Sequence, residues 1–279
     1  MRLGAPVFRY KDAFEWAEIH VKKGYGAAYW PLANDAPNAL VDDYIGEAKA
    51  HHLVIAEVGV WNNLMDPDPE RRARNFDFAV RQLQLAEHVG ARCCVNISGS
   101  VSAVWDGPDP KNLTEETFQK VVEVTQRLID AAKPVHTAYA LEPMPWMYPT
   151  DLESTLRLIK AVNRKNFGVH VDMCNMMNSY EKLVNNAALI RAYFEGAGPH
   201  IRSVHAKDSV LSTKLTLHID EAIPGEGVID YGELLRQCAK LHDMCILAEH
   251  LSTEAQFDRA TDYIKRKAAE EGLTFTAAK

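Results

Sequence analysis

No apolar run in this sequence approaches the roughly 18 residues that a bilayer-spanning helix needs, so no membrane partner is expected. Cysteine is scarce and odd in number. Five residues with no CxxC pair argue against a disulfide framework or a zinc knuckle, and for reduced thiols in a cytoplasmic protein. Positive charge is in deficit, 31 Lys and Arg against 38 Asp and Glu for a net charge of −7, so a broad nucleic-acid footprint is not expected. The opening segment MRLGAPVFRYKDAFEW is charged too early for a secretory signal. A GxGxxG turn after the first strand-like run, the mark of a dinucleotide-binding sheet, is missing too. No linker or composition break divides the chain, so residues 1–279 are read as a single domain.

What is present is alternation. Short apolar runs of strand type fall at 3–8, 26–30, 53–61, 91–97, 137–142, 167–172, 201–206 and 244–249. Most lack the strict polar alternation of a half-exposed strand, as buried parallel strands do. Between them apolar residues recur at spacings of three and four. Over 70–89 this puts Phe76, Ala79, Val80, Leu83 and Ala86 on one helix face, and 114–132 is a second such stretch with Phe118, Val121, Val122, Val124, Thr125 and Leu128. Thr114, Asp151 and Ser252-Thr253 are start signals, and Gly24, Gly90, Gly198 and Gly272 are stops. Eight strands alternating with eight helices in about 250 residues fit a closed (β/α)8 TIM barrel, an α/β fold.

The active site of such a barrel lies at the C-terminal ends of its strands. Four successive ends offer Glu142, Asp172, His205 and Glu249. Three carboxylates and one imidazole suit one divalent metal ion, Mn or Mg before zinc. Burying three unpaired carboxylates together is costly, which independently points to a cation. His170 shares the strand face of Asp172, one layer deeper, and Lys207 shares the face of His205. Lys207 either reaches substrate oxygens or pairs with neighbouring Asp208. Glu57, mid-strand, needs a partner if it points inward. Trp30, Trp61, Trp105 and Trp146 fall near strand ends, where a sugar ring can stack or a loop can pack. The loop IPGEGVIDY at 223–231 needs Gly225 and Gly227 for its backbone, and two glycines alone do not imply a phosphorylated substrate. His51-His52 ends a helix and reads as surface.

The order Glu142, Asp172, His205, Glu249, with the HAKD and PGEG elements, resembles the xylose isomerase-like TIM-barrel superfamily along nearly the whole chain. The resemblance implies that these four residues are metal ligands. From the ketose 3-epimerases of that group it implies Glu142 and Glu249 as an acid/base pair on opposite faces of a small sugar or keto-sugar. Metal chelation of a carbonyl and its neighbouring hydroxyl stabilises an enediolate while one carboxylate removes the α-proton and the other returns it. Asn175, Lys207, His170, Trp146 and His218 are the expected substrate contacts. Two positions depart from that group, Asn175 where a histidine is usual and Leu211 where an arginine is. Endonuclease-IV-type members bind three metals through extra histidines, which the strand ends at Trp61-Asn62 and Asn96 lack.

A further likeness, to the catalytic subunit of bacterial C-glycoside deglycosidases, implies a metal-dependent lyase acting on a keto-sugar. Trp146, Tyr148 and His218 would then serve an aromatic leaving group, and a small partner subunit would be expected. An inosose-type dehydratase is a lyase of the same kind. The resulting expectation is a divalent-metal-dependent sugar isomerase or epimerase, with lyase chemistry as the alternative. The group's habit of pairing implies a homo-oligomer.

Overall fold

Strand and helix alternate through the computed structural model, which describes residues 1–279. The strands are β1 (Arg2–Gly4), β2 (Ala27–Tyr29), β3 (Val54–Gly59), β4 (Cys93–Asn96), β5 (Ala138–Leu141), β6 (Phe167–Asp172), β7 (Ile201–Ala206), β8 (Asp208–Leu211), β9 (Ile219–Ala222) and β10 (Cys245–Ala248). The helices are α1 (Ala13–Lys23), α2 (Asn38–Ala50), α3 (Pro69–Val89), α4 (Glu115–Ala132), α5 (Leu152–Val162), α6 (Tyr180–Val184), α7 (Asn186–Ala197), α8 (Tyr231–Ala239) and α9 (Glu254–Glu270).

Eight strands make one sheet in the order β1-β10-β7-β6-β5-β4-β3-β2. They are the eight expected from the apolar runs. The pairs β1–β10, β10–β7, β3–β4, β4–β5 and β5–β6 are parallel. With helices between its strands the sheet forms a nearly closed barrel, the (β/α)8 architecture anticipated above. At the seam the Gly26 amide donates to the Leu3 carbonyl at 2.9 Å. The backbones meet closely there: a Cβ on Gly4 would stand 2.2 Å from the Ala27 carbonyl oxygen and 2.6 Å from Leu247 Cδ2.

Packing groups the chain into two compact units, residues 1–56, 172–198 and 203–279 in the first and residues 57–171 and 199–202 in the second. In the first, Ala5, Tyr25, Ala248, Phe257 and Ala260 form one buried cluster, and Ala27, Ala56, Cys245 and Leu247 another. In the second, Cys93, Val95 and Ala140 pack together.

Local signals explain where helices begin and end. Asp151 accepts from the Ser154 amide while the Ser154 side chain answers the Asp151 backbone, and Thr253 and Gln256 repeat that capping box on α9. Thr114 caps α4 through the Thr117 amide. Gly24 and Gly90 end α1 and α3 in the left-handed region, at φ of 67° and 72°. Gly198 differs: its φ is −41° and the chain runs on into a 3₁₀ turn at Gly198–His200.

Two features depart from the expected order. The segment between β6 and β7 holds a short α6 as well as α7, and β8 and β9 form an antiparallel hairpin outside the eight-stranded sheet. All five cysteines are free thiols. No helix is long and apolar enough to cross a membrane.

Candidate active site

In the first unit the strand ends converge on a lysine. Asp172 closes β6, His205 lies in β7, Lys207 follows it, and Glu249 follows β10. The period of two along β7 puts His205 and Lys207 on one face. Lys207 is 4% exposed, and its Nζ lies 2.8 Å from Asp172 Oδ2, 3.0 Å from Glu249 Oε1 and 3.1 Å from Glu221 Oε1. It also donates to Asn175 Oδ1 at 3.4 Å and meets His250 Nδ1 at 3.1 Å. His205 Nδ1 is 2.8 Å from Glu249 Oε1. The Asn175 amide donates to Asp172 Oδ1 at 3.0 Å.

These neighbours set the charge state of the cluster. Burial works to raise the Glu249 carboxyl, but His205, Lys207 and His250 outweigh it and hold the group well below the usual carboxylate range. Glu221 is lowered too, His250 and Lys207 overcoming its burial. His250 is raised above an ordinary histidine by its hydrogen bond to Glu221, against the opposing effect of burial.

Asp208, the alternative partner for Lys207, is engaged elsewhere. Its carboxylate accepts from the amides of Ser209 at 2.8 Å, Gly225 at 2.9 Å, Gly227 at 3.1 Å and Ile229 at 2.9 Å. The PGEG loop is thus folded around Asp208, and its amides serve the protein's own carboxylate. A Cβ on Gly227 would stand 2.3 Å from Asp208 Oδ1, which is why glycine sits there. Burial raises the Asp208 carboxyl, with the four amides pulling the other way.

In the second unit Glu142 follows β5 and is 3% exposed, its amide donating to the Asn96 carbonyl at 2.9 Å. Asn96 Nδ2 donates to the Asn62 carbonyl at 3.1 Å. Glu57 and His170 are both buried, with His170 Nδ1 3.6 Å from Glu57 Oε2, so the inward glutamate has its partner in the deeper imidazole. Trp146 Nε1 donates to the Asp106 carbonyl at 2.7 Å, and the Tyr148 hydroxyl to the Leu113 carbonyl at 3.0 Å. Both rings therefore pin the loop ahead of α4. His218 lies in the exposed connection between β8 and β9, with Thr216 Oγ1 3.5 Å from its Nε2.

Asp172, His205 and Glu249, all of the first unit, each present a ligand atom, and these atoms lie within 4.8 Å of one another. Sequence reasoning missed two members of the lysine cluster. Glu221 comes from the unforeseen hairpin. His250, adjacent to a named glutamate, has φ 55°, an uncommon left-handed backbone for a non-glycine residue.

The model of the xylose isomerase-like TIM barrel family matches residues 12–277. No curated protein matches the sequence. Among solved structures, D-psicose 3-epimerase from Clostridium cellulolyticum H10 superposes with a TM-score of 0.71 at 15% identity, covering 98% of this chain and 100% of that one. The E. coli 3-keto-D-glucoside 4-epimerase gives 0.66 at 15% identity, covering 98% and 99%. Endonuclease IV from Thermus thermophilus gives 0.71 at 16% identity, covering 97% and 100%. At these identities the likeness is one of fold.

Proposed function

This chain belongs to the xylose isomerase-like TIM-barrel family, and from that premise we propose that it is a divalent-metal-dependent isomerase or epimerase of a small sugar, working by proton abstraction next to a carbonyl. The observation that carries the reading is the convergence of Asp172, His205 and Glu249 in the first unit, two carboxylates and an imidazole with ligand atoms within 4.8 Å, to which the reading adds Glu142 as the fourth ligand. This donor set, rich in carboxylate oxygen with one imidazole, fits a hard divalent ion, Mn²⁺ or Mg²⁺. When bound, the ion supplies Lewis-acid stabilisation of the charge that develops on the sugar's carbonyl oxygen.

The protein's own groups do the proton work. Glu249 is held in its ionised, acceptor form by the positive surroundings of His205, Lys207 and His250, as a base must be. Glu142 is the second carboxylate of the pair. One removes the proton from the carbon beside the carbonyl and the other returns it, which inverts that centre when the two act from opposite faces. Lys207 and Asn175, one an ammonium and the other a carboxamide, orient the sugar's oxygens. Sugar epimerisation supports the reading as the activity for which two barrels of the same fold are named. Residues 1–279 act in it as a single domain.

The test is turnover of a panel of keto-sugars in D₂O with protein saturated in Mn²⁺. Deuterium appearing in an unchanged carbon skeleton supports epimerisation. Release of water or of an aglycone overturns it in favour of lyase chemistry on a keto-sugar. Full turnover in both Glu142→Gln and Glu249→Gln refutes the two-carboxylate mechanism.

A further inference from the structure

Resting on that metal-dependent reading, we infer that Lys207 is an internal counter-cation that competes with the divalent ion for the ligand oxygens, and that Glu221, held in place by His250, is the group that takes it over when the ion binds.

The argument starts from shared atoms. Lys207 Nζ stands 2.8 Å from Asp172 Oδ2 and 3.0 Å from Glu249 Oε1, so its ammonium sits on two of the three first-unit residues whose ligand atoms converge. An ammonium and a divalent cation cannot both take full advantage of the same carboxylates, because they repel each other at close range with little water between them. Lys207 also lowers the net negative charge of the three-carboxylate set by one. Its presence therefore weakens the attraction of that set for a further cation.

The same geometry shows where the ammonium goes. On its other side Lys207 Nζ already lies 3.1 Å from Glu221 Oε1 and 3.1 Å from His250 Nδ1. Glu221 belongs to β9 of the hairpin, where it pairs with Ser209, and its side chain is 44% exposed and is not among the converging ligand residues. His250 Nδ1 lies 3.1 Å from Glu221 Oε2, and the left-handed backbone at His250 accompanies that position. A lysine has four rotatable carbon–carbon bonds above a fixed backbone, so a shift of its head group from Asp172 and Glu249 toward Glu221 needs no movement of β7. The hairpin thus adds a carboxylate whose use is to hold the ammonium at the mouth of the site. This assigns Glu221 and His250 as positioning residues acting through Lys207.

The experiment is calorimetric titration of Mn²⁺ into the wild-type chain, Lys207→Met, Glu221→Gln and the double variant, each verified as folded by circular dichroism. Lys207→Met is expected to bind Mn²⁺ about tenfold tighter, or about 1.4 kcal/mol. Glu221→Gln is expected to bind several-fold more weakly than wild type, because the ammonium then leans harder on Asp172 and Glu249. In the Lys207→Met background the Glu221 substitution is expected to change little, and that non-additivity reports the coupling. Unchanged or weaker binding by Lys207→Met overturns the competition. Equal effects of Glu221→Gln in both backgrounds overturn the handover. Should Lys207→Met fail to fold, Glu221→Gln decides alone, since Mn²⁺ affinity equal to wild type refutes the proposal. Absence of Mn²⁺ binding in every form refutes the metal-dependent reading itself, an outcome distinct from equal, measurable binding in all.

Discussion

His205 Nδ1 lies 2.8 Å from Glu249 Oε1, and each comes from the C-terminal end of its own barrel strand. A carboxylate held beside an imidazole and an ammonium is kept ionised, and removing its charge removes the proton acceptor. Glu249→Gln is expected to lower kcat on the identified sugar by about 10²–10⁴-fold while leaving the far-ultraviolet circular dichroism unchanged. A loss below tenfold would show that the carboxylate is not a base.

Divalent-ion binding to the folded state alone must also raise its stability. At a Mn²⁺ concentration of one hundred times Kd the gain is about 2.7 kcal/mol, measurable as a higher denaturation midpoint in urea. Asp172→Asn should abolish that increment, and chelator treatment should reverse it in the wild type.

Asp208 anchors the loop that follows the hairpin by accepting from four backbone amides. In Asp208→Asn an amide NH₂ replaces one of the two acceptor oxygens and faces donors. The expected cost is about 1–3 kcal/mol for each buried donor left unmatched, seen as a fall in thermal midpoint.

Gly4 lies where β1 passes β2, with no room for a methyl group between it and the Ala27 carbonyl. Gly4→Ala should destabilise the protein by about 1–3 kcal/mol or more through forced backbone displacement. Chemical denaturation checks this, and a neutral effect would mean that the seam is looser than its geometry.

His20 is buried and held to about 4 by that burial, against the opposing hydrogen bond to the Trp16 carbonyl. An unfolded histidine titrates near 6.5, so between those values the unfolded chain binds the extra proton. Stability contributed by the neutral ring is therefore complete above about pH 6.5 and lost as pH falls toward 4, at up to about 1.4 kcal/mol per pH unit. His20→Phe should remove one proton's worth of that slope, measured as unfolding free energy against pH.

Much of this fold was legible in the sequence. The apolar runs located all eight barrel strands because buried parallel strands carry no polar alternation to confuse them with loops. The caps at Thr114, Asp151 and Thr253 were readable because a side chain bonding an amide two or three residues on is a local event. The nearness of Asp172, His205 and Glu249 followed from one rule about where barrel strands end. The hairpin was not legible. Its segment DSVLSTKLTLHIDEA mixes charge and apolar residues, and no residue of β9 is fully buried, so no buried face imposes a pattern there. Glu221 was hidden with it, since its pairing with Lys207 depends on a fold-back between distant residues. The fate of Asp208 was equally non-local, for three of its four amide partners lie beyond the hairpin.

The hairpin ladder closes on itself, running from Asp208 opposite Ala222 to Leu211 opposite Ile219, and shares no rung with the barrel. Its far end, residues 212–218, can therefore be shortened, lengthened or exchanged without altering the register of any barrel strand. Its root is tied at Asp208, which accepts from four backbone amides, and at Glu221, beside Lys207. The hairpin is thus a replaceable cassette, its tip open to change in length and sequence while its root stays tied.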